Sequence, residues 1–353
     1  MRLRRASNSV SAAAQGTICE ETLWDFGADV PEQLASLSAE RPVFPSQALA
    51  SSGNYLLRSG WSTHDTYIHF HSGSLGGGHG HADLLHLDVW HNGEAVLVDS
   101  GRFTYVDGSE RAAFKSPAAH NTFRVDGTDF TRYRGTWEWT SVARPLPAEV
   151  RFTQTADYLS AGHLGYAAQG ILAEREVLFL KPDILIGIDR ITAPSGTHHT
   201  VEQFFHFGPG DLQQTGDSVF WQGDHTCAQL HWLTGEKAIL SNAAFSPQYN
   251  LKKSVPALCL QSETESTASL PFVLCLGGCC TVQLLPVTDG YGHPLPAESV
   301  QSVCITRNGQ STTVILCHQT GSHDAALLCA GGYTGHGQIL IFTPQDPAGS
   351  CLK

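Results

Sequence analysis

The sequence predicts an all-β protein: a large antiparallel β-sandwich of stacked sheets behind a short helical N-terminal segment. Three observations predict it. From Phe44 onward the text breaks into short alternating or continuous apolar runs, each ended by Gly, Pro, Asn, Asp or Ser. The 353 residues hold 35 glycines, 17 prolines and one Met, a turn-rich globular composition. Across residues 211–353 short strands recur at regular intervals, the pattern of stacked antiparallel sheets.

Taken in order, residues 1–16 (MRLRRASNSVSAAAQG) carry basic and small residues but no apolar core of a signal peptide. They read as a disordered tail without an export signal, which by itself points to the cytoplasm. Residues 17–43 hold the helical text, with Trp24-Asp25-Phe26 and Pro31–Leu37 allowing one or two short helices. The sandwich is expected over 44–353, with GPGDLQQTG near 210 either a sub-boundary or an ordinary loop.

Strands are expected at Tyr55–Trp61, Thr66–His71, Leu85–Trp90, Ala95–Asp99 and Thr122–Val125. Asn92-Gly93 between the third and fourth is a strong hairpin signal. Further strands follow at Glu149–Phe152, Ala173–Leu180, Ile184–Ile191, Thr200–Phe207, Ser218–Trp221, Ala228–Trp232, Phe272–Leu276, Thr281–Leu285, Val303–Arg307, Thr312–His318, Asp324–Leu328 and Gln338–Phe342. His198-His199, after Pro-Ser-Gly, reads as an exposed turn.

The net charge of −12 argues against nucleic acid, whose phosphates are met by Lys and Arg. It leaves room for an acidic polysaccharide, which needs only a local basic groove. No run of 18 apolar residues exists, so no membrane span is expected. Nine of the ten cysteines follow residue 226, and none has metal-type spacing. Most sit in apolar runs and read as buried free thiols, which leans toward a reducing compartment.

Residues 76–127 gather the chemistry. A glycine run leads into His79-Gly80-His81-Ala82-Asp83, the hairpin returns to Asp99, and His120-Asn121-Thr122 opens a further strand. In a strand His79 and His81 share a face. With the strand of His120 alongside, one pocket collects two or three imidazoles and a carboxylate, donors suited to a metal such as zinc.

The stretches HGHADLLHLDVWHNGEAVLVDSGRFTY and FKSPAAHNTFRVDG resemble the C-terminal β-sandwich domain of the heparinase II/III family of polysaccharide lyases. The likeness extends to Ser51–Trp61, Ala173–Ile191 and Val201–Phe207. Position by position it implies that His79 is the catalytic histidine and that His81, Asp99 and His120 hold a structural zinc. It also implies an N-terminal α-helical toroid that supplies the catalytic Tyr and the group that neutralises the substrate carboxylate. Almost none of that toroid is in these residues, so a toroid on a separate chain is an expected partner. Members of the family are commonly exported.

The function implied is β-elimination on a uronic-acid polysaccharide, glycosaminoglycan or alginate-like. The alternatives are a non-catalytic, metal-stabilised carbohydrate-binding sandwich and a cupin-like metal oxygenase. The latter expects a Glu soon after His81, which is missing.

Within the chain, Tyr105 and Tyr133 are the tyrosines that can approach the pocket. Asp83 is a candidate to orient a ligand histidine. Arg111 and Lys115 are candidates for substrate acid groups, against a reading as solvated loop charges. Asn121 is a candidate to bridge within the turn or meet substrate. Trp137 and Trp139 alternate onto one face, for sugar stacking or core. His206, flanked by aromatics, reads as a packed sandwich histidine.

Overall fold

The computed structural model describes residues 23–24, 26–36, 45–318 and 327–353. The expected tail at 1–16, much of the linker and most of the expected strand 324–328 lie outside them. Helix α1 is Val30–Ala35. No described helix is long and apolar enough to cross a membrane.

The strands stack in three layers. The first begins with β1 (Gln47–Leu49), β2 (Asn54–Arg58), β3 (Tyr67–His71), β4 (His86–His91) and β5 (Glu94–Leu97), paired in sequence order. Beside them lies a four-stranded sheet of Lys237–Gln248, Leu251–Glu265, His198–His206 and β6 (Phe123–Val125). The Val98 amide donates to the His206 carbonyl and the Gly208 amide to that of Val96, which joins the two sheets.

The middle layer has eight strands: Asp211–Thr215, Ser218–Gln222, Cys227–Trp232, Ala268–Leu276, Ile184–Thr192, Leu172–Leu180, Ala156–His163 and Glu149–Phe152. One face packs Phe179, Leu185, Leu230, Phe272 and Trp221 against Leu57, Phe70, Leu87 and Phe205 of the first layer. The other packs Leu178, Ile186 and Val273 against Val303, Val314 and Ile339 of a five-stranded outer sheet. Burial on both faces explains the continuous apolar text of 177–180 and 184–188. Each such side chain stabilises the fold by about 1.5–3 kcal/mol.

The Asn92-Gly93 hairpin forms as expected, with φ of 52° and 76° turning the chain between β4 and β5. Four expectations are corrected. Asp211–Thr215, inside the stretch read as a loop or boundary, is a strand at the sheet edge, polar because it is mostly exposed. His198 and His199 open a strand, where His199 bonds Asp126 at 2.8 Å. Cys275 and Cys280 form a disulfide across the Gly277-Gly278 turn, and the free thiols Cys227, Cys259, Cys279, Cys304, Cys329 and Cys351 are half-buried or exposed, not buried. Arg111 and Lys115 are not solvated loop charges but are 1% and 0% exposed. They lie with Phe114 on one face of helix α2 (Ser109–Lys115), at i, i+3 and i+4.

Candidate active site

His79 and His81 do not lie on a strand. The glycine-rich stretch before β4 is a loop, and it needs glycine: a Cβ on Gly80 would fall 2.0 Å from the Leu75 carbonyl oxygen. Lys115 anchors this loop by donating to the Gly78 carbonyl at 2.7 Å and to the Thr136 carbonyl at 3.0 Å. Burial, and then the charge of Arg111, push the Lys115 pKa down to about 8. The Ala82 amide donates to the Lys115 carbonyl. One helix residue thus fixes His79, His81 and the hairpin that carries Trp137.

His81, Asp99 and His120 converge. One ligand atom from each lies within 4.8 Å of the others. His120 Nδ1 and Asp99 Oδ2 are 2.6 Å apart, and the His81 and His120 rings have centroids 5.4 Å apart. His120 is fully buried, and its Nε2 has no hydrogen-bond partner among the described residues. Burial, then the neighbouring His120, push the His81 pKa down to about 3, so this imidazole is neutral at neutral pH and keeps one ring-nitrogen lone pair. Asp99 is held well below the carboxylate range: burial opposes its charge, and His120 and the 2.6 Å bond from the Gly101 amide outweigh burial. Gly101 has φ +78°, and a Cβ there would meet the Ser246 carbonyl at 2.3 Å.

Behind the triad stands His86, which sequence reasoning did not single out. Its Nδ1 accepts from the Asn121 amide at 2.9 Å, which leaves Nε2 to carry the proton toward Asp88, 3.2 Å away, with Asp99 at 3.7 Å. The signal was present: His86 and Asp88 alternate onto one face of β4.

The remaining candidates separate. Asp83 lines the cleft but pairs with His71 at 3.7 Å instead of orienting a triad histidine. Asn121 is 1% exposed; its side chain donates to the Leu87 and Val98 carbonyls and accepts from the His206 amide, so it ties strands together. His206 is packed, 5% exposed, as expected. Tyr133 bonds Asp107. Trp139 is half-buried against Lys115, whose Nζ sits 4.4 Å from its ring centroid.

His79 is exposed on the cleft rim. Its Nδ1 is 3.3 Å from the Tyr105 hydroxyl, and its ring packs edge-on to Trp137 at 4.8 Å. Arg102 donates to the same hydroxyl. Arg111 Nη1 lies 3.2 Å from His81 Nε2, while its Nε and Nη2 have no partner among the described residues. The cleft holds about 460 Å³ and takes in His79, His81, Asp99, Arg102 and Tyr249. Tyr249 and Arg102 were missed in the sequence because they stand alone in polar text. A second cleft of about 480 Å³ runs past Glu263 and Gln301, with none of these histidines in its lining.

The fold and site define a layered antiparallel sandwich with a histidine–aspartate cleft on its first layer. The family model described as "Heparinase II/III-like, C-terminal" matches residues 41–272. The chain therefore belongs to the heparinase II/III-like C-terminal domain family. Its structure is similar to the heparan sulfate lyase HepC from Pedobacter heparinus (TM-score 0.66, 18% identity, covering 90% of this chain and 49% of that one). It is also similar to a heparinase III (TM-score 0.67, 13% identity, covering 90% and 48%) and to a second heparinase III structure (TM-score 0.63, 15% identity, covering 79% and 43%). The chain thus spans about half the length of the structures it matches. No curated protein matches it.

Proposed function

We propose that this chain is the sandwich half of a polysaccharide lyase that cuts uronic-acid polymers by β-elimination. The observation that carries the reading is the His79–Tyr105 pair, 3.3 Å apart on a cleft backed by the triad. β-Elimination removes the proton on the carbon beside the carboxylate. The electron pair forms the C=C bond, and the glycosidic oxygen leaves and takes a proton. His79 and Tyr105 are two proton-transfer groups in mutual reach, suited to give and take these protons. The group that neutralises the carboxylate is assigned to an α-helical half, on a separate chain or elsewhere in a longer protein.

His81, Asp99 and His120 fit a zinc ion by donor type, by His81 being held neutral, and by the orphaned His120 Nε2. Bound there, zinc would cross-link the loop of His81 to the strands of Asp99 and His120. The exposed His79 favours catalysis over a purely structural sandwich, since a cross-linking metal has no use for it.

The test is absorbance of unsaturated uronate on incubation with heparan sulfate, chondroitin or alginate, with and without a supplied α-helical half. Product that disappears in His79→Ala is expected. No product from any polymer in either condition refutes the lyase reading and leaves the non-catalytic carbohydrate-binding sandwich. Metal analysis tests the triad separately: wild type holds zinc and His81→Ala holds much less, and equal content would overturn the ligand set.

A further inference from the structure

Around the His79–Tyr105 pair lies an aromatic cluster that the elimination step does not use. Trp137 and Tyr105 stack at 5.3 Å with 20° between their planes. Tyr249 continues the row on Tyr105 at 5.8 Å and 33°. Trp137 is 53% exposed and Tyr249 49% exposed, so both ends of the row stand open. Rings of this size normally bury their apolar faces, and two exposed rings flanking a half-buried third mark a binding surface.

The charge beside them is equally out of place. The chain carries 33 acidic against 21 basic residues, yet Arg102 forms no ion pair among the described residues. Its guanidinium lies 4.8 Å from the Tyr105 ring centroid and 5.6 Å from that of Tyr249. Stacking on two rings holds it in place with N–H groups left to donate. Buried Arg111 lies 5.1 Å from the Tyr105 ring and adds positive potential from beneath.

We propose that Trp137 and Tyr249 are stacking subsites for two sugar rings of the bound chain, and that Arg102 recognises an acid group of the sugar beside it. A pyranose ring has an apolar C–H face that lies flat on an aromatic ring, while its carboxylate needs a fixed donor. The ligand class is an acidic oligosaccharide, bound by this chain without its α-helical half. The inference rests on the lyase reading for an acidic polysaccharide as the ligand, but its test does not.

The test is calorimetric titration of the intact chain with a heparan sulfate hexasaccharide and with the same hexasaccharide after carboxyl reduction. Trp137→Ala and Tyr249→Ala each weaken binding by about tenfold or more. Trp137→Phe and Tyr249→Phe restore most of it, which separates lost stacking from lost folding. Arg102→Gln weakens binding of the native ligand and leaves the carboxyl-reduced one unchanged. Trp90→Ala, which removes an exposed tryptophan on β4, changes nothing. Absent binding to the intact chain, or alanine variants that bind like wild type, overturns the platform. Product formation without binding by this chain alone overturns the platform and leaves the lyase reading, whereas binding that never leads to product leaves the platform and overturns the lyase reading.

Discussion

Two buried arginines lie near the same loops and are built in opposite ways. Arg175, in the middle layer, is 0% exposed, and each of its three guanidinium nitrogens is hydrogen-bonded. Its Nε and Nη2 grip both oxygens of Asp189 at 2.5 and 2.6 Å, and Nη1 donates to the Leu85 and Asn121 carbonyls at 2.8 and 2.6 Å. Arg111, in α2, is 1% exposed and has one side-chain hydrogen-bond partner among the described residues, His81. A buried cation costs several kcal/mol unless it is paired and bonded. Arg175 meets that condition inside the protein; Arg111 leaves N–H groups waiting beside the cleft. Burial alone does not separate a structural residue from a site residue. The tally of its bonded hydrogens does.

The largest test removes Arg175. Arg175→Met leaves the Asp189 carboxylate buried with, among the described residues, only Gln203 to donate to it. Stability should fall by about 3–5 kcal/mol in urea unfolding. A loss below about 1 kcal/mol would break the contrast, since it would make the satisfied arginine as dispensable as an unsatisfied one.

An intermediate case sharpens it through pH. His163 is 0% exposed; its Nδ1 accepts from the Gly165 amide at 3.1 Å and its Nε2 has no partner among the described residues. Burial pushes its pKa down to about 3. The unfolded chain takes up the proton near pH 6.5, so this stability is fully present above 6.5 and is lost as pH falls toward 3. The expected contribution is about 1.4 kcal/mol per pH unit below 6.5. Replacing His163 with Gln should flatten the acid side of the stability–pH curve by that slope, and an unchanged slope would show the histidine is not held neutral.

The smallest effect concerns Arg111. Arg111→Met should leave urea stability unchanged or raise it by about 1 kcal/mol, because few bonds are lost and a poorly bonded buried cation is removed. It also removes a positive charge 3.2 Å from a triad nitrogen. Zinc affinity, read by chelator competition, should tighten by about tenfold. Weaker zinc binding would mean that Arg111 positions His81 instead of competing with the metal.

The sequence made some of this legible for identifiable reasons. The strands 172–180 and 184–192 announced themselves because two-sided burial excludes polar residues from most positions. The triad was legible because the Asn92-Gly93 turn sets which residues return toward the glycine-rich loop. The long strands Lys237–Gln248 and Leu251–Glu265 were not, since the first is largely exposed and the second is buried only over its middle, so neither shows a clean alternation. Nor was the burial of Lys115, whose partners at Gly78 and Thr136 are 37 and 21 positions away. Local composition reports burial by neighbours along a strand, not bonds supplied from distant loops.

Arg175 has one more consequence. The two carbonyls it holds, of Leu85 and Asn121, sit a few positions beyond His81 and one beyond His120. Both loops therefore hang from a single peg planted in the sheet beneath them. Anyone grafting this triad onto another scaffold would have to transplant the peg, together with its aspartate, or the two imidazoles would drift out of register.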